Sequence, residues 1–439
     1  MISSENILLT SEFEDAFETL EHTQQNLFIT GKAGTGKSTF LDHFRKNTKK
    51  SVVVVAPTGV SALNVRGQTI HSFFGLGARF VDVASIGRRR NKKTYEEIEL
   101  VIIDEVSMVR ADVLDGLEKV LRVNGPIKGT PFGGVQICVI GDLFQLPPVI
   151  TGQEEEYFSR FYNSPFFFDA HSFDMDDFKL VRFNNIFRQE EDEFINILNR
   201  VRVGQKHAGI LDYLNQRYGV DLDDYEKSVT LCSTNKIADG INKKRIADIE
   251  ETPFTFKAAV KGDFDKAKGR LPCPERLVLK ENAQVMFVKN DPEKRWVNGT
   301  IGRIVNLSLK NVEVEIMKGG VPRRYQVKKE KWPSIHYSFD EEEDKLKEEE
   351  VGSFSQYPLI LAWAITIHKS QGKTLDSAII DLGYGAFAAG QLYVALSRCR
   401  HFDRIALKTR INARDIKCDE RILTFVKNYA AQQKSNLTG

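Results

Sequence analysis

Cysteine is scarce in this chain. Five are scattered over 439 residues, at Cys138, Cys232, Cys273, Cys399 and Cys418, with no two at metal-ligand spacing. That excludes a disulfide framework and a cysteine-based zinc site, and it fits a reducing compartment. The eight histidines are equally dispersed and form no zinc motif. No apolar run is long enough to span a bilayer, and the opening Met1-Ile2-Ser3-Ser4-Glu5-Asn6 lacks the basic and apolar blocks of a secretion signal. No membrane partner is expected, and a bacterial cytoplasm is the expected location. Solenoid repeats and low-complexity tails are absent too. The length suffices for two to four domains with buried cores.

Charge is nearly balanced at +2, but unevenly spread. Residues 340–350 hold eight acids and two lysines, a local −6, so the remainder carries +2 − (−6) = +8. Basic clusters lie at 88–93, 243–245 and 328–331. Each alone reads as a solvated face; together they fit a polyanionic partner.

The first half alternates strand-like and helix-like segments. Near-continuous apolar runs at 27–30, 52–56, 100–104, 137–141 and 179–183 suit parallel strands buried on both faces. With the helical patterns between them they predict a doubly wound α/β domain over residues 1–184. A second α/β pattern covers 185–252 and resumes over 356–439. Between them, 253–355 gives short alternating segments separated by Gly, Asn and Pro, which predicts a small antiparallel β-barrel whose exit is the acidic run.

Residues 31–38, GKAGTGKS, follow the first strand and open a helix. Strand, glycine-rich turn and helix start form a P-loop: backbone N–H groups and the helix dipole cradle a polyphosphate. The expected cradle is Gly31, Gly34, Thr35, Gly36, Lys37, Ser38 and Thr39, with Lys37 reaching the β- and γ-phosphates and Ser38 binding Mg²⁺. ATP and Mg²⁺ are the implied cofactors. The strand at 100–103 ends in Asp104 and Glu105, at the sheet edge where open α/β folds bind ligands. Asp104 is placed to hold Mg²⁺ and Glu105 to orient or deprotonate the attacking water. Gln145, after another strand, is either a γ-phosphate sensor or part of a strand exit closed by Pro147-Pro148. Charge developing on the γ-phosphoryl calls for an arginine, with Arg188 and Arg398 as candidates. Residues 370–374, SQGKT, mimic the end of a P-loop, but Ile367 stands where its first glycine belongs. One ATP site per chain follows.

Taken in order, GKAGTGKS, APTGVSALNVRGQTIHSFF, VIIDEVSMV, GDLFQLPPV, NIFRQ, ITIHKSQGKTLD and YVALSRCR resemble the motif series of superfamily-one helicases of group B, most closely the petite-integration-frequency (Pif) DNA helicases. The resemblance covers nearly the whole chain. It implies two RecA-like lobes with ATP between them, 5′ to 3′ translocation on single-stranded DNA and unwinding of duplex. It carries over Lys37, Ser38, Asp104, Glu105, Gln145, Arg188 and Arg398 as the ATPase set. It also marks Thr58, His71, Ser72, Phe73, Thr234, Asn235, Thr366, His368 and Lys369 as DNA contacts or couplers. One of Phe73 and Phe74 is expected in the core. The segment near 65–80 would bear a wedge, and 253–355 would be the family's barrel. Forks, G-quadruplexes or RNA–DNA hybrids are the implied preferred substrates, and a monomer the implied solution state. The chain departs from the family at Phe13, which stands where a Gln often reads adenine.

Three other readings compete: a P-loop ATPase that remodels protein, a nucleic-acid-binding module that uses ATP only as a switch, and a RecD-like subunit of a larger nuclease machine, for which the chain offers no acidic cluster resembling a nuclease centre. ATPase assays with and without single-stranded DNA separate the first, and strand displacement the second.

Overall fold

The structure is a computed structural model that describes residues 10–77, 80–90, 92–150, 152–225, 227–262, 264, 271–318, 320–340 and 345–436. Six strands form the first sheet: β1 (Asn26–Gly31), β2 (Val52–Ala56), β3 (Gln68–Thr69), β4 (Leu100–Ile103), β5 (Gln136–Gly141) and β6 (Phe178–Phe183). All pair in parallel in the order β3-β2-β4-β5-β1-β6. The period of two along each strand sends side chains to alternate faces. Phe28, Val53, Val55, Val101, Ile103, Ile137 and Val139 enter one apolar cluster. Leu27, Ile29, Val54, Leu100, Ile102, Cys138 and Ile140 enter another, on the opposite face. A parallel sheet covered on both sides needs such unbroken apolar runs.

Helix α1 (Ser11–His22) is N-capped by Thr10, whose side chain accepts from the Phe13 N–H, and it buries Phe13, Ala16, Thr19 and Leu20. Phe13 packs against Phe40 and Phe183 at centroid distances of 5.5 and 4.4 Å. The residue at the adenine-reading position is therefore a core residue. Helix α2 (Lys37–Asn47) buries Phe40, Leu41 and Phe44 on that same cluster.

The second parallel sheet has four strands in the order Ala364–Thr366, Val229–Cys232, Ala378–Asp381, Ile405–Leu407. Its first-met strand and its other three are separated in sequence by an antiparallel insert, so it is closed only when the chain returns from that excursion. The insert contains a two-stranded, a five-stranded and a three-stranded sheet. The first two share one core, including Phe256, Leu277, Leu279, Val285, Phe287, Trp296 and Val314.

Two expectations change. The acidic run does not end the insert: Glu330–Asp340 and Lys345–Gln356 pair antiparallel, and the second of them also pairs with Ala259–Gly262. Residues 341–344 of the run lie outside the described residues. The insert's last strand is Leu359–Leu361, paired with Gln284–Phe287. The final helix (Glu420–Asn436) does not belong with the second sheet either. Ile422, Phe425 and Tyr429 are buried in the first sheet's cluster beside Phe28 and Phe167. The Phe425 ring stacks on Phe168 at 4.3 Å, and the Tyr429 hydroxyl donates to the Phe178 carbonyl at 2.6 Å. The apolar stripe of this helix satisfies burial against either sheet, so the sequence pattern, which ran it on with the second sheet, could not tell the two apart.

Candidate nucleotide and nucleic-acid sites

The order β4-β5-β1 puts three strand exits side by side at one sheet edge. β1 leads into the phosphate loop, where Gly34 and Gly36 adopt φ of 83° and 84°, a left-handed conformation that favours glycine. A Cβ at Gly31 would lie 2.5 Å from Thr35 Oγ1 and 2.8 Å from the Phe183 carbonyl. Lys37 Nζ donates to the Gly31 and Lys32 carbonyls at 2.7 and 2.9 Å. Burial pushes its amine down from the ordinary lysine range, while Asp142 and Glu105 oppose that. Thr35 is buried and donates to the Lys32 carbonyl at 3.0 Å; Ser38 and Thr39 are exposed on the first turn of α2.

β4 delivers Asp104 and Glu105. Burial, then the charge of Glu105, pushes Asp104 up to about 7. Burial also raises Glu105, against the pull of Lys37 and Arg398. Glu105 itself has φ 51°, rare for a residue with a side chain, and such strain clusters at functional positions. Two buried carboxyls whose charged forms burial disfavours, together with a hydroxyl left exposed at Ser38, are oxygen donors of the kind a divalent cation takes.

β5 delivers Asp142, which is fully buried. Burial alone would raise its carboxyl, but Arg202 and then Lys37 hold it below the usual carboxylate range. Arg202 Nη2 donates to Asp142 Oδ1 at 2.7 Å and its guanidinium lies 4.0 Å over the Phe144 ring. The Tyr393 hydroxyl donates to Asp142 Oδ2 at 3.1 Å and accepts from the Ala33 N–H of the phosphate loop at 3.0 Å. Gln145 is buried, and its Oε1 accepts from Gln371 Nε2 at 3.1 Å; the same amide donates to Glu105 Oε2 at 3.1 Å.

The two arginines differ. Arg188 lies against the loop: a Cβ on Gly34 would meet the Arg188 Cβ at 2.5 Å, and Arg188 Nη1 donates to the Ser397 carbonyl at 3.2 Å. Arg398 is only 1 % exposed, and its donors are spent on the carbonyls of Val394, Ser370 and Lys373 and on Ser397 Oγ. Burial and the charge of Arg188 push it down to about 9. Its bonds to Ser370 and Lys373 flank Gln371, so Arg398 braces the segment that crosses to Glu105.

The expected DNA contacts gather at strand ends. Thr58, after β2, N-caps helix Gly59–Asn64 through the Ser61 N–H, and Thr69, ending β3, caps Ile70–Phe74. In the second sheet Thr234 caps Asn235–Ala247 and Thr366 caps Ile367–Ser370. Each sheet thus ends two neighbouring strands in Thr-capped helix starts, with N–H groups suited to a phosphate backbone. Thr234, Asn235, Ser72 and Lys369 are exposed; His71 and His368 are half-buried. Phe73 is corrected: it is 7 % exposed and packs on Phe74 and Tyr95, so both phenylalanines of the pair are core. The described part of 65–80 buries Ile70 and Leu76 as well, which anchors it to the first core. Within the basic run, Arg89 donates to the Phe74 and Gly75 carbonyls and holds that turn, whereas Arg88, Arg90, Lys92 and Lys93 are exposed.

Gln371, Tyr393, Asp142 and Arg202 were missed from sequence. The first three stand inside the quoted motifs, so the motifs marked the segments without ranking these positions. Arg202 lies in no motif and reads as one more polar helix position.

A phosphate loop, paired acids and a second parallel sheet closing over them define a P-loop nucleoside triphosphatase of the α/β class. A family model described as PIF1-like helicase matches residues 8–209. An ATP-dependent DNA helicase Pif1 of Bdellovibrio bacteriovorus is 32% identical over 433 residues, covering 96% of this chain and 92% of the relative. This chain belongs to the PIF1-like helicase family. The Campylobacter jejuni relative of the same name is 30% identical, covering 92% of this chain and 95% of its own. A solved Bacteroides Pif1 in complex with ADP-AlF4 superposes with a TM-score of 0.86 at 35% identity, covering 97% of this chain and 98% of that one. Bacteroides Pif1 bound to single-stranded DNA gives 0.70 at 35% identity, with 98% of both chains covered. The chain spans 61% of the Emericella nidulans relative. Among the described residues no helix is long and apolar enough to cross a membrane.

Proposed function

We propose that the chain is an ATP-dependent DNA helicase in which two RecA-like lobes clamp one ATP and move 5′ to 3′ along an unpaired strand. The single observation that carries this is the set of bonds across the cleft: Gln371 to Glu105 and Gln145, and Tyr393 to the Ala33 N–H. Groups that must respond to the γ-phosphate on the first sheet are tied to groups of the second. We assign residues 1–184 with the final helix to the first lobe, 185–252 with 364–419 to the second, and 253–361 to an inserted, partly open small barrel.

Lys37 and the loop N–H groups would bind the triphosphate, and Ser38 and Asp104 would hold Mg²⁺, which supplies charge neutralisation at the phosphates. Glu105 orients the attacking water and Arg188 is nearest to the loop for stabilising developing charge. A change of partners by Gln371 then alters how the lobes sit, and a two-state cleft of this kind moves a strand gripped on both sides. The four Thr-capped helix starts, with His71, Ser72, Asn235, His368 and Lys369, grip phosphates. Forked ends, G-quadruplexes and RNA–DNA hybrids are the structures we expect it to open, as a cytoplasmic monomer.

The test is strand displacement from a duplex carrying either a 5′ or a 3′ tail, with ATP and Mg²⁺. Displacement from the 5′-tailed substrate alone is expected. Displacement from the 3′ tail, or none from either, sinks the polarity or the helicase reading respectively.

A further inference from the structure

The loop joining strand Ala378–Asp381 to helix Gln391–Leu396 carries two aromatic rings that nothing above uses. Tyr384 is fully exposed and Phe387 is 59 % exposed. Single exposed apolar residues are ordinary, but here two rings stand three residues apart on one loop.

The loop that presents them is pinned. Ser233 Oγ donates to the Leu382 carbonyl at 3.1 Å. The Ala386 N–H donates to Asp415 Oδ1 at 3.0 Å and the Phe387 N–H to Gln391 Oε1 at 3.0 Å. Gly385, at φ 121°, sits so close that a Cβ would lie 2.7 Å from Asp415 Oδ1. The tip is therefore shaped before any ligand arrives, which lowers the ordering cost of binding.

Its position is telling. The Phe387 ring lies parallel to His368, with 13° between planes and 6.2 Å between centroids, and His368 follows the Thr366 cap. The other anchor, Ser233, precedes the Thr234 cap. The rings thus rise beside two phosphate-type caps of the second sheet. Caps and lysines hold a backbone; an unpaired strand also presents bases, which need flat apolar partners. On the first sheet the aromatic candidate, Phe73, is buried.

We propose that Tyr384 and Phe387 form a nucleobase-stacking site on the second lobe, seating bases of the unpaired strand without regard to sequence. This rests on the single-stranded DNA reading above. A ring face suffices for every base, so the tyrosine hydroxyl is not required.

The test is anisotropy binding of an oligo-dT and of an abasic backbone of equal length, at two salt concentrations. Wild type should bind dT about tenfold more tightly than the abasic strand. Tyr384→Ala should lose most of that advantage on dT and leave abasic binding unchanged, while Tyr384→Phe keeps it. Tyr384 is fully exposed, so its replacement is compatible with folding. Equal dT binding by Tyr384→Ala and wild type, or no preference for dT in wild type, overturns the site while the DNA reading stands. Absence of salt-dependent binding to both backbones removes the DNA reading and the site together.

Discussion

Gln371, on the second sheet's side of the cleft, donates to the Glu105 carboxylate at 3.1 Å. The group proposed to orient water is thereby tied to the second sheet's side of the cleft. Removing the amide should leave nucleotide binding nearly intact and loosen the link between hydrolysis and movement. Gln371→Ala is expected to lower the DNA-stimulated kcat about tenfold, the loss of roughly 1.4 kcal/mol of coupling. Steady-state ATPase with a fluorescent-nucleotide binding assay separates the two effects. An unchanged kcat would mean the bond is incidental.

Lys37→Ala should abolish DNA-stimulated turnover, because the loop then lacks its phosphate-directed cation. Glu105→Gln should bind ATP normally yet turn over about 10²–10⁴-fold more slowly. A Glu105→Gln enzyme with wild-type rate would take the water-orienting role away from this residue.

Asp104 is raised to about 7 in the folded chain, from an ordinary aspartate value. The folded state therefore binds the extra proton between the two values, and the ionised carboxylate disfavours folding as pH rises through 7. Asp104→Asn should raise the Tm of the nucleotide-free protein at pH 8 and change it little at pH 4. Mg²⁺ requires the ionised form, so the Mg²⁺ concentration for half-maximal ATPase should rise as pH falls from 8 to 6. A pH-independent Mg²⁺ requirement would assign the metal elsewhere.

Asp142 is buried with Arg202 and Tyr393 both bonded to it. Asp142→Ala strands a guanidinium in the interior, at a cost of about 3–5 kcal/mol in urea unfolding. Tyr393→Phe keeps the ring and removes one hydroxyl, so about 1 kcal/mol is expected, together with a raised KM for ATP because the Ala33 N–H loses its partner. A stability loss without a KM change would restrict Tyr393 to a packing role.

The final helix gives a separate stability test. Phe425 is 8 % exposed among Phe28, Phe167 and Phe168. Phe425→Ala should cost about 3–5 kcal/mol, read as an earlier unfolding transition of the first lobe. An effect confined to the second lobe's transition would contradict the packing described.

Much of this is legible in the sequence. The runs at 52–56 and 100–104 read as strands buried on both faces, and the glycines of 31–36 mark where backbone is to approach a phosphate. Periodicity carries that information because it is local. What was not legible depends on contacts far apart in sequence. Phe73 next to a hydroxyl-rich turn looks available to a base until Tyr95 and Phe74 close over it. Arg89 looks like one of a solvated basic run until the carbonyls of Phe74 and Gly75 face it. Gln371 has no chemistry of its own, and its meaning appears only when Glu105 and Gln145 stand opposite.

The docking of residues 420–436 on the first sheet has a mechanical outcome. On the lobe assignment proposed for this chain, the backbone passes from one half to the other near 184–191 and returns near 408–419. A pair of bodies tied at two separate crossings has less freedom to twist or drift than a pair tied at one. On that assignment, two tethers in place of one would narrow the relative motions open to the lobes, and lengthening either crossing would widen them.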